Sequence, residues 1–171
     1  RREAEKNDEK GAIALRTAQS GYSTMIIVVD YGVGNVGSIS NMLRKIGAPA
    51  AIGCDAEHIR AATKLILPGI GHFDAVMAAF DKSGLRSAVE DAVFNRKVPI
   101  VGICVGMQMM GQGSDEGTLP GLGWVRAYTR RFDFSGIDQP LRLPHIGWNF
   151  VNAVRKHTLI DALPVSSRFY F

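Results

Sequence analysis

From Met25 onward, short apolar runs alternate with stretches whose apolar residues recur every three or four positions. The predicted strands are Met25–Val29, Ala50–Ile52, Lys64–Leu67 and Val98–Ile103, and the predicted helices are Val36–Ile46, Phe73–Phe80, Leu85–Phe94 and Val105–Met110. Strands that alternate with helices form βαβ units, so we predict an α/β fold with a central, mostly parallel sheet covered on both faces. The continuous apolar run Val98–Ile103 is predicted to be an interior strand of that sheet.

The pattern changes at both ends of the chain. After Pro120, three stretches favour a more antiparallel section: Leu122–Phe132, Gly147–Val154 and Arg168–Phe171. Residues 1–24 are mostly charged or polar and carry only a short apolar patch, so we expect a disordered or loosely helical extension. The folded domain is therefore predicted to comprise residues 25–171.

Composition excludes several classes of protein. The 171 residues are 46% hydrophobic and 21% charged, as in ordinary globular domains, and no apolar run reaches the roughly 18 residues of a membrane span. Two cysteines make no disulfide framework, which favours a reducing cytoplasm. The net charge of +4 is scattered and no aromatic residues interleave with it, so we expect no binding of nucleic acid.

The strongest chemical signal is Gly102-Ile-Cys-Val-Gly106, where a predicted strand runs into a predicted helix. This arrangement is typical of a nucleophile elbow with sulfur in place of oxygen. The following helix would direct its N-terminus at Cys104 and favour the thiolate, and the N–H of Val105 could stabilise an oxyanion. A free cysteine is more often a small buried hydrophobe, but glycines on both sides favour the nucleophile.

A second glycine pattern, Gly32-Val-Gly-Asn-Val-Gly37, satisfies the dinucleotide-binding fingerprint, with Asp55 near the expected distance. Asp30 at the end of the preceding strand is a poor neighbour for a pyrophosphate. We therefore favour a tight glycine turn beside a helix N-terminus.

The segment Pro99-Ile-Val-Gly-Ile-Cys-Val-Gly-Met-Gln108 resembles the active-cysteine segment of class I glutamine amidotransferases. Four further motifs resemble the glutaminase subunits of imidazole glycerol phosphate synthases, in the family's order: Asp30-Tyr-Gly-Val-Gly-Asn35, Pro68-Gly-Ile-Gly71, Ser114-Asp-Glu-Gly117 and Pro144-His-Ile-Gly-Trp-Asn149. The resemblance covers Met25–Phe171. It implies the three-layer, flavodoxin-like α/β fold of that class, with an antiparallel extension.

The resemblance also assigns chemistry to individual residues. Cys104 would attack the carboxamide carbon of L-glutamine. The peptides of Val105, Ile70 and Gly71 would form the oxyanion hole. Substrate would be held by Gly69, Gly71, Gln108 and Glu116. Without the resemblance, Glu116 would be interpreted as a solvated loop carboxylate.

A partner surface is implied as well. Asn35, Pro144, His145, Trp148 and Asn149 match positions that face a (β/α)-barrel synthase subunit in a heterodimer. The barrel would use the ammonia to make imidazole glycerol phosphate in histidine biosynthesis. Trp148 could instead be a core residue at a strand start. The resemblance implies no metal and no organic cofactor.

The sequence also departs from the family. Val105 replaces the usual leucine, a change that we expect to be tolerated. Gly111-Gln-Gly113 replaces larger residues, and we expect this second replacement to loosen the loop before Glu116. The family's catalytic His and Glu would follow a strand resembling Arg168–Phe171, so we interpret the chain as C-terminally truncated and inactive alone. Two other functions stay open: a paralogous glutaminase serving another synthase, such as one for surface-polysaccharide amidation, and a non-catalytic subunit that binds the partner.

Overall fold

The computed structural model describes residues 25–136, 144–158, 160–164 and 166–171. The extension predicted for residues 1–24 lies outside the described residues. The chain divides into two compact units, one ending at Arg131 and the other spanning Phe132–Phe171.

Among the described residues, the first regular element is the first predicted strand. The strands are β1 (Ile26–Val29), β2 (Ala50–Gly53), β3 (Lys64–Leu67), β4 (Ile100–Gly102), β5 (Trp148–Phe150) and β6 (Arg168–Tyr170). The helices are α1 (Val36–Lys45), α2 (Ala56–Ala61), α3 (Phe73–Lys82), α4 (Arg86–Glu90, continued by a π-helical turn Asp91–Asn95) and α5 (Val105–Met109). Only α2 was not predicted, because six residues are too few to show a helical period.

The first unit contains a four-stranded sheet in the order β2-β1-β3-β4, with every neighbouring pair parallel. This is the strand order with which flavodoxin-like sheets begin. Ile27 and Val29 belong to the main core cluster, whereas Val28 points to the opposite face, and all three are fully buried. Both faces of β1 are therefore covered, as the α/β prediction requires.

The predicted interior position of the strand before Cys104 is wrong for the described part of the chain. There β4 pairs only with β3 and forms an edge of the sheet. Val101 is 52% exposed and Ile103 39% exposed. An apolar run indicates that a strand tends to be buried, but it does not state how many strands flank it.

The predicted strand at Leu122–Phe132 is also wrong. Its residues instead form scattered backbone hydrogen bonds with the segment after α5. Examples are Val125 N–H to Met110 O at 2.9 Å and Thr129 N–H to Gly113 O at 3.0 Å. One isolated parallel bridge joins Ser114 and Thr129. A continuous strand ladder does not form, because the backbone groups of this stretch form their hydrogen bonds with several different turns.

In the second unit, β5 and β6 pair antiparallel, with Asn149 opposite Phe169. The antiparallel extension predicted from Gly147–Val154 and Arg168–Phe171 is thus present in shorter form. Among the described residues, no helix is long and apolar enough to cross a membrane.

Candidate active site

Cys104 lies in the turn between β4 and α5 and is exposed. Its backbone has φ 54° and ψ −121°, a conformation that L-residues rarely adopt. Its carbonyl oxygen accepts the N–H groups of Met107 and Gln108, at 3.0 and 3.2 Å, which begins the helix directly after the cysteine. The strained backbone presents the side chain at the carboxyl end of the sheet, as a nucleophile elbow requires.

The glycines on either side of Cys104 make this turn possible. A Cβ on Gly102 would lie 2.4 Å from the Met107 Cα, and a Cβ on Gly106 would lie 2.0 Å from the Leu67 carbonyl oxygen. Both contacts are with backbone, which cannot move aside as a flexible side chain can. The G-x-C-x-G pattern is therefore explained by the close approach of α5 to β4 and β3.

The loop Pro68–Gly71 lies directly against the start of α5. A Cβ on Gly69 would be 2.4 Å from the Gly106 nitrogen and 2.9 Å from the Val105 carbonyl carbon. Gly71 has a φ of +99° and Ile70 is 62% exposed. The structure thus brings together the two segments that the sequence assigned to the oxyanion hole.

Tyr31 supports this loop and was not identified from the sequence. Its hydroxyl donates to the Pro68 carbonyl oxygen and lies 3.7 Å from the Met109 sulfur, and its ring packs edge-on against Phe80. Burial raises the pKa of the Tyr31 phenol well above its usual range, so it remains a neutral donor. Tyr31 lies two residues after β1 in the motif Asp30–Asn35, but nothing in that motif indicated which group its hydroxyl would contact.

A cavity of about 190 Å³ brings Gln108 and Glu116 together. Its lining comprises Gln108, Ser114, Glu116, Thr129, Arg130 and Arg131, and does not include Cys104. The Gln108 Oε1 atom is buried without a hydrogen-bond partner among the described residues. Such an atom is costly to leave unpaired, so it is a candidate contact for a polar ligand.

Charges of both signs line the same cavity. Glu116 supplies a carboxylate, while Arg130 and Arg131 supply guanidinium groups. In the described ranges, none of the three takes part in a side-chain ion pair within 4.0 Å. A ligand that carries both an ammonium and a carboxylate group could pair with both signs.

The loop before Glu116 is packed, which contradicts the expected loosening at Gly111-Gln-Gly113. Gly111 and Gly113 are buried. A Cβ on Gly111 would lie 2.8 Å from the Ala127 carbonyl oxygen, and one on Gly113 would lie 2.9 Å from the Tyr128 ring. The glycines admit close packing by the segment that follows, and larger residues would require that segment to move.

Asp74, in the first turn of α3, holds the loop that follows Glu116. Its carboxylate accepts the backbone N–H of Thr118 at 2.9 Å, the backbone N–H of Leu119 at 3.0 Å, and the Thr118 hydroxyl. The Thr118 N–H, followed by that of Leu119, holds the pKa of the Asp74 carboxyl below its ordinary value. This residue, too, was missed because its partners are more than 40 positions away.

The lowered pKa predicts how this anchor responds to acid. Because the folded pKa lies below the unfolded one, the anchor contributes its full stability above the unfolded value and loses it as pH falls through the folded value. We expect the amide resonances of Thr118 and Leu119 to shift with a midpoint below the ordinary aspartate pKa. In Asp74→Asn the same resonances should show no such transition, and a midpoint at or above the ordinary value would contradict the assignment.

The Gly32–Gly37 turn does not fit a dinucleotide site. Asp30 Oδ1 accepts the Gly32 N–H at 3.0 Å, and Asn35 caps α1 by accepting the Ser38 N–H at 3.0 Å. A Cβ on Gly37 would meet nothing within 4 Å, whereas the third glycine of a fingerprint is needed for close helix packing. The prediction of a tight glycine turn is confirmed, and Asn35 lies exposed within it.

The second unit presents an exposed aromatic surface around β5. Trp148 is 60% exposed and contacts the Tyr170 ring edge-on at 5.6 Å, so it is not a core residue. The side chains of His145 and Asn149 are 2.8 Å apart, and Pro144 is exposed beside them. An exposed tryptophan with aromatic and polar neighbours is typical of an interface anchor.

These features define an α/β protein with a cysteine elbow, and comparison with known families agrees. Residues 27–162 match the family Glutamine amidotransferase class-I, and the chain belongs to that family. A crystal structure of a glutamine amidotransferase superposes with a TM-score of 0.55 at 19% identity, covering 72% of this chain and 62% of that one. That likeness shows the fold.

The similarity to individual relatives is more specific than the match to the family. The chain is 41% identical over 147 residues to the imidazole glycerol phosphate synthase subunit HisH of Leptospira borgpetersenii, covering 86% of this chain and 72% of the relative. It is 47% identical over 147 residues to the subunit HisH 2 of Methanococcus maripaludis, covering 86% and 71%.

Proposed function

We propose that the protein is the glutaminase subunit of an imidazole glycerol phosphate synthase, which hydrolyses L-glutamine to glutamate and ammonia. The observation that carries the proposal is the strained turn at Cys104, with the Pro68–Gly71 loop packed against the following helix. The names of the relatives support the choice of synthase. Ammonia release by the protein assembled with a barrel synthase subunit tests the function directly.

This geometry supports the following reaction. The Cys104 thiolate attacks the carboxamide carbon, and the negative charge that develops on oxygen is stabilised by N–H groups of Val105 and of the Ile70–Gly71 segment. Cleavage of the C–N bond, with a proton delivered to nitrogen, releases ammonia and leaves a thioester on Cys104. Water then hydrolyses the thioester to glutamate and regenerates the thiol.

Substrate recognition rests on the cavity beside the elbow. Glu116 faces the ammonium group of glutamine, and the buried Gln108 Oε1 accepts one of its hydrogen bonds. Arg130 and Arg131 supply positive charge toward the α-carboxylate. Gly71 leaves open space through which the side-chain amide can reach Cys104, whereas Gly69 lets the loop pack directly against the start of α5.

Replacing Glu116 with glutamine tests this recognition. We expect the KM for glutamine to rise about tenfold or more with a smaller change in kcat, because the lost ion pair acts on bound substrate and transition state alike. The matched substrate is a glutamine analogue that lacks the α-amino group. With that analogue, wild type and Glu116→Gln should differ little, and an equal loss with both substrates would contradict the assigned contact.

Ammonia would pass to a (β/α)-barrel partner that binds the surface carrying Trp148. Pro144, His145 and Asn149 of the second unit contribute to this proposed heterodimer interface. Asn35 of the first unit is also proposed to contact the partner. The product would be imidazole glycerol phosphate, made in the cytoplasm as part of histidine biosynthesis. If the protein assembled with the barrel subunit of another synthase, and not with that of imidazole glycerol phosphate synthase, the paralogous function would be favoured instead.

A further inference from the structure

A second group of potential ligands lies where β2 passes into α2. Cys54, Asp55 and His58 each offer one ligand atom, and these atoms all lie within 4.8 Å of one another. Cys54 is a free, exposed thiol, and the side chain of His58 is 23% exposed. The glutaminase proposal gives none of the three a role.

The local backbone holds this group together. Asp55 caps α2 by accepting the His58 N–H at 2.9 Å, and its second carboxylate oxygen lies 2.7 Å from His58 Nδ1. Gly53 has no side chain, and a Cβ there would be 3.1 Å from the His58 Cβ. The His58 imidazole therefore lies over the end of β2, close to Cys54.

The distances suit a single metal ion. Donor atoms bound to one tetrahedral zinc ion lie roughly 3.3–3.8 Å apart, given metal–ligand bonds of about 2.0–2.3 Å. Donors that already lie within 4.8 Å need only small side-chain rotations to reach that spacing. The contact of 2.7 Å between Asp55 Oδ2 and His58 Nδ1 holds the imidazole beside the carboxylate, and metal binding would replace this hydrogen bond with bonds from both side chains to the ion.

We propose that Cys54, Asp55 and His58 form a surface zinc site, with water as the fourth ligand. A thiolate, an imidazole and a carboxylate favour zinc over magnesium or calcium, which prefer oxygen ligands alone. Binding would replace the thiol proton of Cys54 with the metal and release that proton. The strand order β2-β1-β3-β4 separates this group from Cys104, so the site is independent of the glutaminase chemistry.

Cobalt titration of the complete, reduced chain tests the site, since Co²⁺ bound by thiolate absorbs through charge transfer. We expect saturation at one ion per chain, and displacement of the cobalt signal by zinc. Cys54→Ser should remove the charge-transfer band and weaken binding at least about tenfold, and His58→Ala should weaken it by a similar factor. Asp55→Asn keeps a good helix cap, so a weaker affinity in this variant reports the loss of the carboxylate and not the loss of the cap.

Two matched variants distinguish this site from metal binding elsewhere on the chain. Cys104→Ser removes the other cysteine and should leave the band unchanged. Glu57→Gln removes a neighbouring carboxylate on α2 and should leave the affinity unchanged. Binding that survives Cys54→Ser, that disappears in Cys104→Ser, or that falls equally in Glu57→Gln would overturn the proposal, as would the absence of saturable binding by the wild-type chain. Circular dichroism of each variant confirms that the fold is retained.

Discussion

Cys104→Ala is expected to lower glutamine-dependent ammonia release by at least about 10³-fold in the protein assembled with its barrel partner. Of the two described residues between β4 and α5, only Cys104 carries a nucleophilic side chain, and its φ is 54°. Alanine keeps the backbone conformation but cannot form a thioester. The measurement is glutamate formation at saturating glutamine.

The control uses the partner's own reaction. If Cys104 serves only to generate ammonia, the Cys104→Ala complex should still make product when ammonium salt replaces glutamine. Loss of both activities would indicate that the substitution damages assembly, and glutamine turnover at the wild-type rate would contradict the nucleophile assignment. An electrophilic glutamine analogue should modify Cys104 in the wild-type protein and leave the exposed Cys54 unmodified.

Gly106→Ala is expected to destabilise the fold by about 3 kcal/mol, which lowers the melting temperature by about 6–12 °C. The new methyl group would lie 2.0 Å from the Leu67 carbonyl oxygen and 2.8 Å from the Pro68 carbonyl carbon. Since both atoms are backbone, α5 must move away from β3. That movement separates the Val105 N–H from the Pro68–Gly71 loop, so glutaminase activity should fall as well.

Gly37→Ala is the matched control. Gly37 is also helical, in α1, and a Cβ there meets nothing within 4 Å. Alanine at this position should stabilise the protein by about 0.5–1 kcal/mol, because it restricts the unfolded chain and favours the helix. If both variants changed the melting temperature in the same direction, the close backbone contact at position 106 would not explain why that position requires glycine.

Local patterns predicted most helices and strands of the first unit, because the formation of each element depends on residues that are close together in sequence. The apolar run Lys64–Leu67 is a strand with the predicted bounds, and the predicted helix Val36–Ile46 is present as Val36–Lys45. Residue alternation and helical period depend only on which side of an element is buried. The G-x-C-x-G pattern was equally informative, since glycines near a cysteine indicate a backbone constraint that the structure shows at Gly102 and Gly106.

Patterns failed where pairing partners decide the outcome. Leu122–Phe132 contains apolar residues suited to a strand, yet its backbone bonds are divided among turns after α5. The strand before Cys104 has the composition of an interior strand but lies at an edge among the described residues. Strand neighbours are non-local, and residues far apart in sequence determine them.

The sequence by itself determined the alternation of strands and helices, the turn that presents Cys104, and the family to which the chain belongs. Only the tertiary structure decided how the Pro68–Gly71 loop is held, through the Tyr31 hydroxyl and the packing of Gly69 on Gly106. It also decided that Asp74 anchors the loop after Glu116. The physical reason is range: the backbone preference of a residue acts over a few positions, whereas these hydrogen bonds and close contacts join segments 37 to 45 positions apart.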